Sequence, residues 1–127
     1  MDQTKKNKEF IIDYINAISG VSKTQELMDK YILDEKLKNH IRFFEGAFPK
    51  YEMIIDEIIA EGNRVVVRAR SKAKHEGELN GIPPTHKEVE TPFVIGYEIE
   101  NNKIVNHWLM ADQMMLMEQL GVMNQPA

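Results

Sequence analysis

The feature that most constrains this chain is a change of hydrophobic period near Tyr51. Before that residue the apolar side chains recur every three or four positions; after it they alternate every two. Such a chain places helices first and strands second, the α+β arrangement in which helices pack on an antiparallel sheet. Phe10, Tyr14 and Ile18 recur at steps of four, with Ile11 and Ile15 beside them, which predicts a helix over 4–19 ending at Gly20. Ser22 stands in capping-box spacing to Gln25 and predicts the start of a second helix. Leu37, Ile41, Phe44 and Phe48 mark a third over 35–47, closed by Pro49.

The alternating part predicts four strands. In the first, Met53 and Ile55 alternate with Ile54 and Ile58, so both faces carry apolar residues. Glu61-Gly62-Asn63 is the turn into the second, which puts Val65, Val67, Ala69, Ser71, Ala73 and His75 on one face and a basic row on the other. The prolines at 83 and 84 make 78–87 a loop. A third strand covers 88–100, Asn101-Asn102 forms a turn, and a fourth covers 103–112 before a helix over 113–120. Strands this long are expected to curl around the helices and enclose a cone-shaped cavity.

Composition removes several function classes. The 127 residues suit one domain spanning 1–127, and a net charge of −4 without a basic stripe argues against a nucleic-acid partner. With no cysteine there is no thiol nucleophile, disulfide or cysteine–zinc site. His40, His75, His86 and His107 lack metal-ligand spacing, and no glycine-rich phosphate loop occurs, so neither metal nor cofactor is expected. No apolar run approaches the ~18 residues of a membrane span, and no leader follows Met1, which leads to a cytoplasmic expectation.

Chemistry concentrates at the end of the fourth strand, where Asp112 follows an apolar run. One role is to cap the next helix; another is to face a cavity and move protons, and the two are compatible. Without a bulge, counting back by twos puts Asp112 on one face with Met110 and Trp108, while His107 faces away to a subunit contact; with a bulge, His107 would reach the pocket. A carboxylate among such side chains is desolvated and becomes a stronger base. His75 shares the face of Val65 and Val67 and is expected in the same cavity, either assisting or simply bonded to backbone. His40, on the apolar side of the third helix, and Met53, Phe93 and Tyr97 are the remaining candidate contacts. Four apolar residues in a row, Met114 to Met117, must be covered on more than one side, and a homodimer would cover them.

His75-Glu76-Gly77-Glu78-Leu79-Asn80-Gly81-Ile82-Pro83-Pro84-Thr85 resembles the T-H-x-G-x-F-x-G-I-P-P-T-G-K segment of the SnoaL-like polyketide cyclases, members of the NTF2-like superfamily of cone-shaped α+β barrels. Ala47-Phe48-Pro49, Glu61-Gly62-Asn63-Arg64, Trp108-x-x-x-Asp112 and Gln119-Leu120-Gly121 follow in the family's order. The resemblance implies a cofactor-free intramolecular aldol ring closure on a small hydrophobic carbonyl compound. It makes Asp112 the acid/base and puts His75 in the pocket. Lys74, Leu79 and His86 depart from the family pattern and leave the substrate open. The alternative is a non-catalytic binding protein of the same fold. Hydration or epoxide opening ranks last, because no Asp–Arg–Asp set falls on one predicted face.

Overall fold

The computed structural model describes residues 2–122. Three helices, α1 (Gln3–Ile18), α2 (Gln25–Tyr31) and α3 (Glu35–Ala47), precede four strands, β1 (Glu52–Glu61), β2 (Arg64–Lys74), β3 (Glu88–Glu100) and β4 (Lys103–Ala111), and α4 (Gln113–Leu120) follows. The fold class is therefore α+β, as the change of period requires. One helix start differs from expectation. Thr24, not Ser22, caps α2, its hydroxyl accepting from Leu27 N at 3.2 Å.

The strands pair antiparallel in the order β1-β2-β3-β4, and β1 and β4 are the two edges. The sheet is therefore not closed on itself. Four strands span too little circumference to close around packed side chains. The β3–β4 turn uses Asn101 and Asn102 at φ 50° and 58°, the left-handed pair that matches the twist of a tight hairpin.

Two bulges decide which side chains face the helices. In β1, Ile55 pairs with Ala69 but Glu57 with Arg68, leaving Asp56 as an extra residue. Inward parity therefore passes from Met53 and Ile55 to Ile58 and Ala60, which is why both predicted faces of this strand are apolar. In β4, Ile104 pairs with Ile99 and Asn106 with Glu98, so Val105 is the extra residue. Ile104 faces inward before the bulge, and Leu109 packs inward after it.

The main core joins Ile11, Tyr14, Ile15 and Ile18 of α1 to Val65, Val67 and Ala69 of β2 and Ile95 and Tyr97 of β3. Each fully buried aliphatic side chain here contributes roughly 1.5–3 kcal/mol of transfer free energy. A second cluster ties the end of α3, the 75–87 loop and α4 together through Phe48, Leu79, Leu116 and Leu120. The loop meets α3 closely: Glu76 N and Gly77 N both donate to Ala47 O at 3.0 Å. A Cβ at Gly77 would lie 1.9 Å from Gly46 O, so only glycine fits. Gln119 fixes α4 to β3 by exchanging two hydrogen bonds with the Glu90 backbone, at 2.7 and 2.8 Å. Among the described residues no helix is long and apolar enough to cross a membrane.

Candidate functional site: a cavity rimmed by Asp112

A cavity of about 350 Å³ lies between the helices and the inner face of the sheet. That volume falls within the range of small-molecule sites. Its walls are mainly apolar, with Leu37, Ile41 and Phe44 from α3, Met53 from β1, Phe93 and Ile95 from β3, and Leu109 from β4. Polar groups are few: the phenols of Tyr14, Tyr51 and Tyr97, the hydroxyls of Ser71 and Thr91, and His40, Asn80, Asp112 and Gln113. Among the described residues Asp112 is the sole carboxylate in this lining, and no Lys or Arg contributes to it.

Asp112 ends β4 and begins α4. Its Oδ1 accepts from Met115 N at 2.9 Å, making it the helix N-cap. The residue is exposed at the rim, where the inner cavity meets an open groove on the outer sheet face. Phe93, Ala111 and Gln113 also border both spaces. Capping and cavity contact therefore coexist in one side chain, but the enclosure expected around the carboxylate is absent.

His40, Met53, Phe93 and Tyr97 all line the cavity. The His40 ring is stacked on Phe44, with centroids 6.2 Å apart. Burial, and secondarily the neighbouring His107, holds His40 below the usual histidine range, so its neutral form is favoured. Burial likewise pushes the Tyr14, Tyr51 and Tyr97 phenols above theirs, and all three keep their protons.

Three expected site residues lie elsewhere. Trp108 and Met110 are on the outer sheet face, 45% and 69% exposed: they share a side of β4 with Asp112 as counted, but the Val105 bulge makes Leu109, not they, follow Ile104 inward. Trp108 covers its cross-strand partner Gly96, where a Cβ would come within 2.2 Å of the indole. His75 is fully buried but does not line the cavity. Its Nδ1 accepts from Thr85 N at 3.1 Å and lies 3.0 Å from Thr85 Oγ1, while its ring lies against Phe48. The backbone closes the same loop, His75 N bonding to Lys87 O and His86 N to His75 O. His75 thus shapes the loop that brings Leu79 and Asn80 to the cavity, and does so from outside it.

A part-buried pair, Asp34 with His107, has no counterpart in the sequence reading. Asp34, the N-cap of α3, accepts from Lys36 N and Leu37 N through Oδ1, and its Oδ2 lies 2.6 Å from His107 Nδ1. The bulge in β4 turns His107 inward to make this contact. An Asp immediately before a helical stripe is a local cap signal that points to Asp34, whereas its pairing with His107 depends on the bulge.

A family model described as SnoaL-like polyketide cyclase matches residues 21–120. A search among curated proteins found no match. Among solved structures, the chain is similar to a candidate SnoaL-like polyketide cyclase from Jannaschia sp. CCS1, with TM-score 0.83, 16% identity, and coverage of 98% of this chain and 97% of that one. It is also similar to AclR, a candidate hydroxylase from Streptomyces galilaeus, with TM-score 0.81, 20% identity, and coverage of 98% and 86%. A candidate polyketide cyclase from Acidithiobacillus ferrooxidans gives TM-score 0.78 and 23% identity, with coverage of 95% and 98%. At these identities the structural likeness bears on the fold, which is NTF2-like, while the family model covers most of the sequence. The chain belongs to the SnoaL-like polyketide cyclase family.

Proposed function

We propose that this protein is a cofactor-independent carbon-acid enzyme that closes a ring, or moves a proton, on a small hydrophobic carbonyl compound. The observation that carries the proposal is Asp112, the single carboxylate among the described residues at the rim of a mainly apolar cavity. One of its oxygens is engaged by Met115 N, which fixes the orientation of the carboxylate. The other takes no hydrogen bond from the described residues and is free to act as a base. In an aldol closure it would remove a proton from the carbon between two carbonyls. The resulting carbanion would attack a further carbonyl of the same molecule, forming the ring C–C bond, and the proton would return to the new alkoxide oxygen. His40, held neutral, is the second group able to exchange a proton with a bound ligand. Ser71 Oγ, buried and without a partner among the described residues, is available to donate to a carbonyl oxygen.

The exposure of Asp112 favours a second reading, a binding protein in which that residue is only a cap. The two separate on one experiment. An aromatic polyketide that raises the melting temperature of the wild type is offered to Asp112→Asn. Retained binding with lost turnover supports the enzyme; turnover equal to wild type leaves only the cap.

The outer sheet face is proposed to be the contact of a homodimer. It exposes Trp108, Met110 and Ile59, with Met114 of α4 at its margin, and the groove lined by Met110 and Met114 borders Asp112. A second subunit seated there would enclose the carboxylate that one chain leaves in solvent.

A further inference from the structure

Tyr97 is 2% exposed and its hydroxyl makes no hydrogen bond among the described residues, although the residue lines the cavity. Its ring meets Tyr14 edge-on, with centroids 5.8 Å apart. The two phenols are close enough to influence one another, yet no hydrogen bond of acceptable geometry joins them. A phenylalanine would keep the same ring contacts without burying an unpartnered O–H, so the ring packing alone does not call for the hydroxyl. Tyr97 pairs with His107 and Phe93 with Ala111, four residues along β3, which places Tyr97 about 13 Å of strand from the end occupied by Asp112.

We propose that the Tyr97 hydroxyl, with the Tyr14 phenol beside it, is a ligand-oxygen subsite at the end of the cavity remote from Asp112. The ligand class that fits is an elongated apolar molecule with a hydroxyl or carbonyl oxygen at one end and its reacting carbon near the other. Among the described residues no Lys or Arg lines the cavity to neutralise a full charge at that end. Neutral O–H donors instead match a neutral oxygen acceptor. This subsite deepens the proposed function and rests on the same cavity being a ligand site.

The test uses 2-naphthol and naphthalene as probes, with affinities by equilibrium dialysis and melting temperatures of the free proteins. A hydroxyl taken from water into an apolar cavity without a partner weakens binding by about tenfold or more. Wild type is therefore expected to bind 2-naphthol at least as tightly as naphthalene. Tyr97→Phe is expected to weaken 2-naphthol about tenfold, leave naphthalene unchanged, and melt no lower than wild type. The subsite is overturned if wild type prefers naphthalene by that factor. It is equally overturned if Tyr97→Phe weakens both probes alike or melts lower, as a structural hydroxyl would require. If wild type binds neither probe, the cavity is not a hydrophobic ligand site, and the proposed function falls together with the subsite.

Discussion

Asp112 Oδ1 accepts a hydrogen bond from Met115 N at 2.9 Å, so the candidate base of the cavity is also the N-cap of α4. Asparagine can make the same cap with its side-chain oxygen, whereas alanine cannot. Asp112→Asn should therefore keep stability within about 0.5 kcal/mol, and Asp112→Ala should lose about 0.5–2 kcal/mol. Urea denaturation of the two variants checks this. Equal losses in both would mean that the cap contributes little and the charge much.

Asp34 holds three donors at once, two backbone N–H groups of α3 and the imidazole of His107. Asp34→Ala removes the cap and the charge-assisted bond together and should cost about 2–4 kcal/mol. His107→Gln should cost less, since the cap survives. The double variant should lose less than the sum of the two, because both remove the same contact. Additive losses would show that the 2.6 Å contact is not energetically coupled.

His40 gives stability a pH dependence of defined sign. Its folded pKa is depressed below 6.5, first by burial and then by His107. The folded state thus favours the neutral ring. Its contribution is complete above 6.5 and is lost as the pH falls through the lower folded value. Unfolding free energies of wild type and His40→Gln, compared between about pH 7.5 and about pH 5, should show the steeper acid loss in wild type. Parallel curves would remove His40 as the source.

The exposed apolar outer face should make the protein a dimer at micromolar concentration by light scattering. Met110→Lys places a charge within that face and should shift the population to monomer without lowering the monomer's helix content. A wild type that scatters as a monodisperse monomer would contradict the proposed interface.

Much of this fold could be read from residue patterns, and the failures share one physical cause. The stripes of α1 and α3 and the two faces of β2 follow the periods of regular elements, and Val65, Val67 and Ala69 are buried as that period requires. Asp112 could be placed at a strand-to-helix junction because cap chemistry is local. Trp108, Met110 and His107 could not be assigned to the correct face, because an extra residue at Val105 is a property of strand pairing. His75 carried the resemblance to the cyclases, but its ring is turned to Thr85 by how the 75–87 loop packs on the end of α3. The cavity itself depends on how helices sit against the sheet, and the residues that line it only in three dimensions, such as Tyr14, Tyr51 and Leu109, had no local signal.

The most direct test of Asp112 as a base is deuterium uptake at the activated carbon of 2-acetyl-1-tetralone, followed by NMR in D₂O with the affinity measured in parallel. Wild type should accelerate the exchange, and Asp112→Asn should lower the accelerated rate by about 100-fold or more while binding the diketone equally well. Exchange at the same rate in both proteins, with equal affinity, would contradict the account.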